Sequence, residues 1–149
     1  MIDKDDILEA LFASRGVGGA AWRRQLSRES DKHFQTQAQA AAGAVLVSFW
    51  HLPGMPADSG TPTDWLAGLS ARVVEAHCSC TAEIAAQRFM RRSRHAGHLD
   101  GEAGHEKVLA GLRAIPNGGA IGLVRRVSVD TSRDIAIGAV VRAVMAAAR

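Results

Sequence analysis

Residues 44–50, AVLVSFW, form a nearly unbroken apolar run rich in β-branched and aromatic side chains. A run of this length without polar alternation predicts a strand covered on both faces, as in a parallel sheet. RVVEAHC at 72–78 and RVSVD at 126–130 predict further strands of the same kind. Between them lie TAEIAAQRFMRRS, which reads as a helix with Thr81 as its N-cap, and HEKVLAGLRA, which also has helical spacing. Helices alternating with buried strands imply right-handed crossovers. The expected fold class is therefore α/β, a doubly wound parallel sheet with flanking helices, in one domain spanning 1–149.

The remaining segments fit that plan. Asp3, Asp5 and Asp6 cluster ahead of Ile7, Leu8, Leu11 and Phe12, so a helix is expected from near Asp5 to the glycine-rich GVGG at 16–19. Trp22, Leu26, Phe34, Ala38 and Ala41 recur near the helical period and predict a second helix over about 20–42. The last seventeen residues predict a closing helix. The stretch HLPGMPADSGTPT at 51–63 reads as a long loop, a place where function often resides. Trp50 and Trp65 flank it and fit either an acceptor pocket or the core.

No apolar run approaches the roughly 20 residues a membrane helix requires, so no membrane partner is expected. Cys78 and Cys80 stand too close in sequence for an ordinary structural disulfide, and no signal peptide precedes them. Both facts point to a reducing compartment, by default the cytoplasm. Together with His77, His95, His98 and His105 the two cysteines lack the spacing of a zinc finger, so no metal site of that kind is expected.

Charge is where the chain is unusual. Of 18 basic residues only Lys4, Lys32 and Lys107 are lysines; the other 15 are arginines, and the net charge is +3. Arginine favours bidentate recognition of carboxylate or phosphate. RRSRHAGH at 91–98 concentrates that chemistry just after the helix that starts at Thr81. On that helix Arg88, Arg91 and Arg92 share a face at i, i+3, i+4, where like charges repel unless an anion lies between them. The plainer alternative is a solvated face paired with Glu83 or Glu102. No basic patch interleaved with aromatics is present, so nucleic acid is not an expected partner.

In their order, IDKDDILEALF, VLVSFW, VVEAHCSCTAEIAAQRFMRRSRHAGH and VSVDTS resemble the P-loop small-molecule kinases of the AAA-type ATP-binding group, whose relatives include shikimate kinase, gluconate kinase, chloramphenicol phosphotransferase, polynucleotide kinase and the zeta toxins. The resemblance covers nearly the whole chain and is most specific from Cys78 to His98. It implies ATP and magnesium as cofactors and transfer of a phosphoryl group to the hydroxyl of a small molecule or nucleotide. Asp5 would then be the general base, with Asp3 near the magnesium, and Glu9 falls where shikimate kinases keep a Glu. Arg88, Arg92 and Arg94 would be lid arginines closing over the phosphates, and Asp130 and Thr131 would belong to the loop along the adenine. Such residues suit phosphoryl transfer, which is mostly positioning and charge neutralisation.

The chain departs from the family at its defining element. GxxxxGK[ST] is absent, none of the three lysines follows a glycine, and GVGG at 16–19 carries neither a lysine nor a preceding strand. VLVSFW ends without the acid that helps to hold magnesium in many relatives. The resemblance therefore implies a domain that lacks its P-loop strand, with Met1 an internal residue of the second strand. A catalytically dead remnant serving as an interaction module is the alternative expectation.

Overall fold

The computed structural model describes residues 1–69, 73–115 and 119–149, apart from the side chain of Glu102. They form a mixed helix and strand structure with two small parallel sheets. The first sheet belongs to the N-terminal half. Strand β1 (Ile2–Asp3) runs directly into helix α1 (Lys4–Arg15), with the Asp3 carboxylate capping it by accepting the Asp5 N–H at 2.9 Å. Leu8, Leu11 and Phe12, at i, i+3, i+4, bury one face of α1. Gly16 ends the helix at φ 83°, a conformation that glycine adopts without steric cost. Helix α2 (Ala20–Ala40) packs against α1, and its buried stripe Leu26, Ser30, Phe34 and Ala38 repeats every fourth residue. It returns the chain to β2 (Leu46–Val47), parallel to β1 with Ile2 opposite Leu46.

A buried ion pair pins the two helices. Lys4 Nζ lies 2.5 Å from Asp31 Oδ1 and 3.2 Å from Ser27 Oγ, with both charged side chains 9% exposed. Arg28 extends this network from Asp31 to the carbonyls of Asp58 and Gly60, and so holds down the loop at 51–63. The end of that loop continues the strand ladder, with the Thr61 N–H on the Phe49 carbonyl and the His51 N–H on the Thr61 carbonyl, both at 2.8 Å. Trp50 and Trp65 pack on the fully buried ring of Phe34, at centroid separations of 5.7 and 6.2 Å, so both tryptophans belong to an aromatic core cluster.

The C-terminal half repeats the strand–helix–strand logic. Strand β3 (Glu75–Ser79) pairs in parallel with β4 (Arg126–Asp130) in five-residue register. The crossover holds α3 (Ala82–Arg91) and α4 (His105–Arg113), which pack together and are joined by Arg113 to Glu83 at 2.8 Å. The buried Glu75 carboxylate accepts the N–H groups of Ile121 and Leu123 at 2.8 and 3.3 Å, which ties the segment after α4 to β3. Helix α5 (Ile137–Ala147) lies on β4.

Among the described residues the strands form two separate two-stranded parallel sheets. Several expectations are corrected here. Strand 44–50 is not covered on both faces, since Val45, Val47 and Phe49 are 66%, 39% and 58% exposed. These three alternate residues project from one face of the strand, and that face is left open to water. On its edges, Val45, Phe49 and His51 direct their polar groups toward β1 and Thr61, whereas those of Leu46, Ser48 and Trp50 point the other way and meet no partner among the described residues. Strand β3 has a similar open edge at Ala76 and Cys78, and the Cys78 thiol, expected to be buried, is exposed. The third strand starts at Glu75 rather than 72; Arg72 lies outside the described residues. Helices α2 and α5 are also shorter than their apolar spacing suggests.

The Lys4–Asp31 pair makes a testable statement. Changing Asp31 to Ala leaves a buried ammonium without its counter-ion and should cost about 3–5 kcal/mol in denaturant unfolding, whereas the double change Lys4→Met, Asp31→Leu should cost far less. Burial is the largest influence on Lys4 and lowers its pKa, with Asp31 opposing. The unfolded chain then binds more protons than the folded one just below the ordinary lysine value. Stability should accordingly rise with pH as that value is approached, and Lys4→Met should flatten the rise.

Candidate functional site

The arginine-rich segment is fixed in place by an aromatic ring. Helix α3 starts where the Thr81 hydroxyl accepts the Ile84 N–H at 3.3 Å and ends at Arg91, after which the chain extends and turns again at residues 96–98. Residues 94–98 form a strap across α1. Its contacts follow the α1 stripe Asp5, Glu9 and Phe12, spaced i, i+4, i+7. His95 stacks on the Phe12 ring at 5.3 Å and 11°, and His98 meets its edge at 5.7 Å and 89°. Gly97 lies between them, so close that a Cβ there would sit 2.6 Å from a Phe12 ring carbon. His95 Nδ1 accepts the Gly97 N–H at 3.1 Å, which fixes the turn from within. The wholly buried His98 ring places Nε2 3.0 Å from Glu9 Oε1, while its Nδ1 has no partner among the described residues.

This docking decides where the arginines go. Arg94 donates from one nitrogen to Asp5 Oδ2 and from the other to Asp100 Oδ2 at 3.3 Å. Arg92 reaches the same Asp100 oxygen at 2.9 Å, and its guanidinium stacks 4.1 Å over the Phe89 ring. Two guanidinium groups thus converge on one carboxylate oxygen. Arg88 points elsewhere, donating to the Thr131 carbonyl at 2.6 Å and to its hydroxyl at 3.2 Å. Thr131 in turn donates to the Ser79 carbonyl through both N–H and hydroxyl, at 2.8 and 2.9 Å. Asp5 follows the carboxyl end of β1, and Thr131 that of β4. The strap thus meets the carboxyl end of β1 through Arg94, while Arg88 on α3 meets that of β4.

Of the residues singled out from the sequence, the structure brings Asp5 to Arg94, Arg92 beside Arg94, and Arg88 to Thr131. It leaves Asp3 as a helix cap and Asp130 in a turn of its own. The Asp130 carboxylate accepts the Ser132 hydroxyl and N–H, at 2.6 and 2.9 Å, and the Arg133 Nε–H at 3.1 Å. These contacts, Ser132 first, hold its carboxyl below the usual range. Of the two partners in the plainer alternative, Glu83 is taken by Arg113, whose hydrogen bond also lowers its pKa, and the side chain of Glu102 lies outside the described residues. Sequence reasoning missed Asp100, which lies eight residues after Arg92, too far for a helical pair, and reaches it through the reversal at Leu99.

Asp3 caps α1 and Asp5 pairs with Arg94, and among the described residues no three His, Cys, Asp or Glu side chains gather to hold a metal ion. Among the same residues no helix is long and apolar enough to cross a membrane.

The Gly97 contact predicts that Gly97→Ala will destabilise the fold by about 1–3 kcal/mol through overpacking against Phe12. Gly101→Ala, whose Cβ would meet nothing within 4 Å, should be near neutral in the same denaturant titration. Comparison with protein-family models, curated proteins and solved structures found no match, so the purpose of the site has to be argued from its own geometry.

Proposed function

We propose that the chain is an ATP-binding unit of the P-loop small-molecule kinase type, a phosphotransferase-like domain whose strap arginines receive the polyphosphate of a nucleotide. One observation carries the reading: Arg94 and Asp5, assigned from the sequence as phosphate-binding lid and general base and separated by 89 positions, are in direct contact. Arg92 stands on the other side of Asp100, so that two guanidinium forks present donors to one small volume. In this reading Arg88, Arg92 and Arg94 neutralise phosphate charge, Asp5 orients the hydroxyl of a small-molecule or nucleotide acceptor, and the turn at Asp130 and Thr131 lies along the base. The lysine and amide cradle of GxxxxGK[ST] are missing from the sequence, so binding rather than transfer is the activity to look for in this chain.

A second reading, an interaction module without catalysis, is favoured by a different observation. One face of the segment 45–49 exposes Val45, Val47 and Phe49, and α5 exposes Ile137, Val141 and Met145 at i, i+4, i+8. Calorimetric titration with ATP separates the two. Under the nucleotide-binding reading Arg92→Ala and Arg94→Ala should each weaken ATP binding by about 1.5–3 kcal/mol, the range of a hydrogen bond to a charged group. Asp5→Asn should not weaken it. Absence of ATP binding by the wild-type chain, or indifference to all the arginine changes, would remove the nucleotide reading and leave the interaction module.

A further inference from the structure

We infer that Asp100 is a resident counter-anion, an affinity-setting residue that occupies the Arg92–Arg94 site until a polyphosphate displaces it. The inference rests on the phosphate-binding reading of that site and adds to it the group with which the ligand must compete. Its basis is the convergence of Arg92 Nη2 and Arg94 Nη1 on the single oxygen Oδ2 of Asp100, at 2.9 and 3.3 Å. Like charges brought this close repel, and a carboxylate between them relieves the repulsion as a phosphate oxygen would.

Three features make Asp100 a removable occupant rather than a fixed strut. Leu99 reverses the chain in the left-handed region, φ 60°, the one non-glycine residue among those described to do so. An L side chain adopts that conformation unfavourably, so the backbone that presents Asp100 carries a local cost. The site is also accessible, with the Arg92 and Asp100 side chains 40% and 24% exposed. Finally, the strap does not depend on Asp100 for its own docking, because His95, Gly97 and His98 hold it to Phe12 and Glu9 independently. Asp5 is a second internal carboxylate on Arg94, half exposed in the first turn of α1.

The occupied site explains how arginines spaced closely in sequence are tolerated when no ligand is present. A triphosphate has several anionic oxygens and can engage both forks in bidentate fashion, which a single carboxylate oxygen cannot. Binding would exchange one Asp100 oxygen for several phosphate oxygens, and the carboxylate would turn out into solvent. Asp100 therefore lowers apparent affinity and raises the threshold concentration of polyanion.

The test is calorimetric titration of inorganic tripolyphosphate into the whole chain. Asp100→Asn keeps the shape and removes the charge, and it should bind about twofold to fivefold tighter than wild type, the range expected for loss of a competing exposed ion pair. Asp100→Glu should restore weaker, wild-type-like binding. A merely structural Asp100 would give the opposite sign, with Asn weakening the site. If wild type binds and Asp100→Asn binds equally or more weakly, the counter-anion idea is wrong while the phosphate site stands. Should neither bind, both fall. Should Asp100→Asn fail to fold, the wild-type chain answers by carbon-detected NMR: tripolyphosphate should shift the Asp100 carboxyl carbon and leave that of Glu83 unmoved, and an unmoved Asp100 signal at saturation overturns the inference.

Discussion

The contact between Phe12 and Gly97 is the constraint on which the rest of the site depends. An aromatic ring already buried on α1 leaves room for a peptide backbone but not for a Cβ, and the strap is threaded through that allowance. Once the backbone at residue 97 lies on the ring, the two histidines that flank the glycine have little choice of position. One lies flat on the ring and the other meets its edge, arrangements favoured by the quadrupole of the aromatic face. Arg94 is then delivered to Asp5 from a residue already fixed three positions away. A contact with no charge thus sets the geometry of a charged site.

Electrostatics in this chain is mostly local neutralisation. Arg15 is matched by Glu29, Arg113 by Glu83, Arg133 by Asp130 and the buried Lys4 by Asp31. Most of these pairs are exposed and worth little to stability. The Lys4–Asp31 pair differs because neither partner can turn to water, so it fixes the α1–α2 register more than it strengthens it. Arg92 and Arg94 differ again, since both donate to one oxygen of Asp100 while Arg94 also meets Asp5.

Legibility in the sequence followed the range of the interactions. Strand β4 was read at its observed bounds, because RVSVD alternates cleanly, and α3 was read from its threonine cap and apolar spacing, both properties of adjacent residues. Asp5, Arg88, Arg94 and Thr131 were picked out through a resemblance, and the contacts between them follow from tertiary placement that no local pattern encodes. The exposure of Val45, Val47 and Phe49 was unreadable for a physical reason: an apolar run specifies what a strand can bury, whereas what covers it is decided by other segments. Asp100 escaped for a related reason. Its pairing passes through a left-handed leucine, a conformation that residue type argues against.

The strap also has a bearing on the order in which the molecule comes together. Among the described residues, every hydrogen bond, ion pair and ring contact that joins 1–69 to 73–147 passes through residues 94–98 and α1. Each half closes on contacts of modest sequence separation, whereas the two polar ties across the strap span 89 positions each. Loop-closure entropy delays such distant contacts, so the halves are expected to organise as separate cooperative units before the strap docks. Docking would then be the last event in folding and the first to reverse. The Arg94–Asp5 contact would then form only after the two cores that it links have closed.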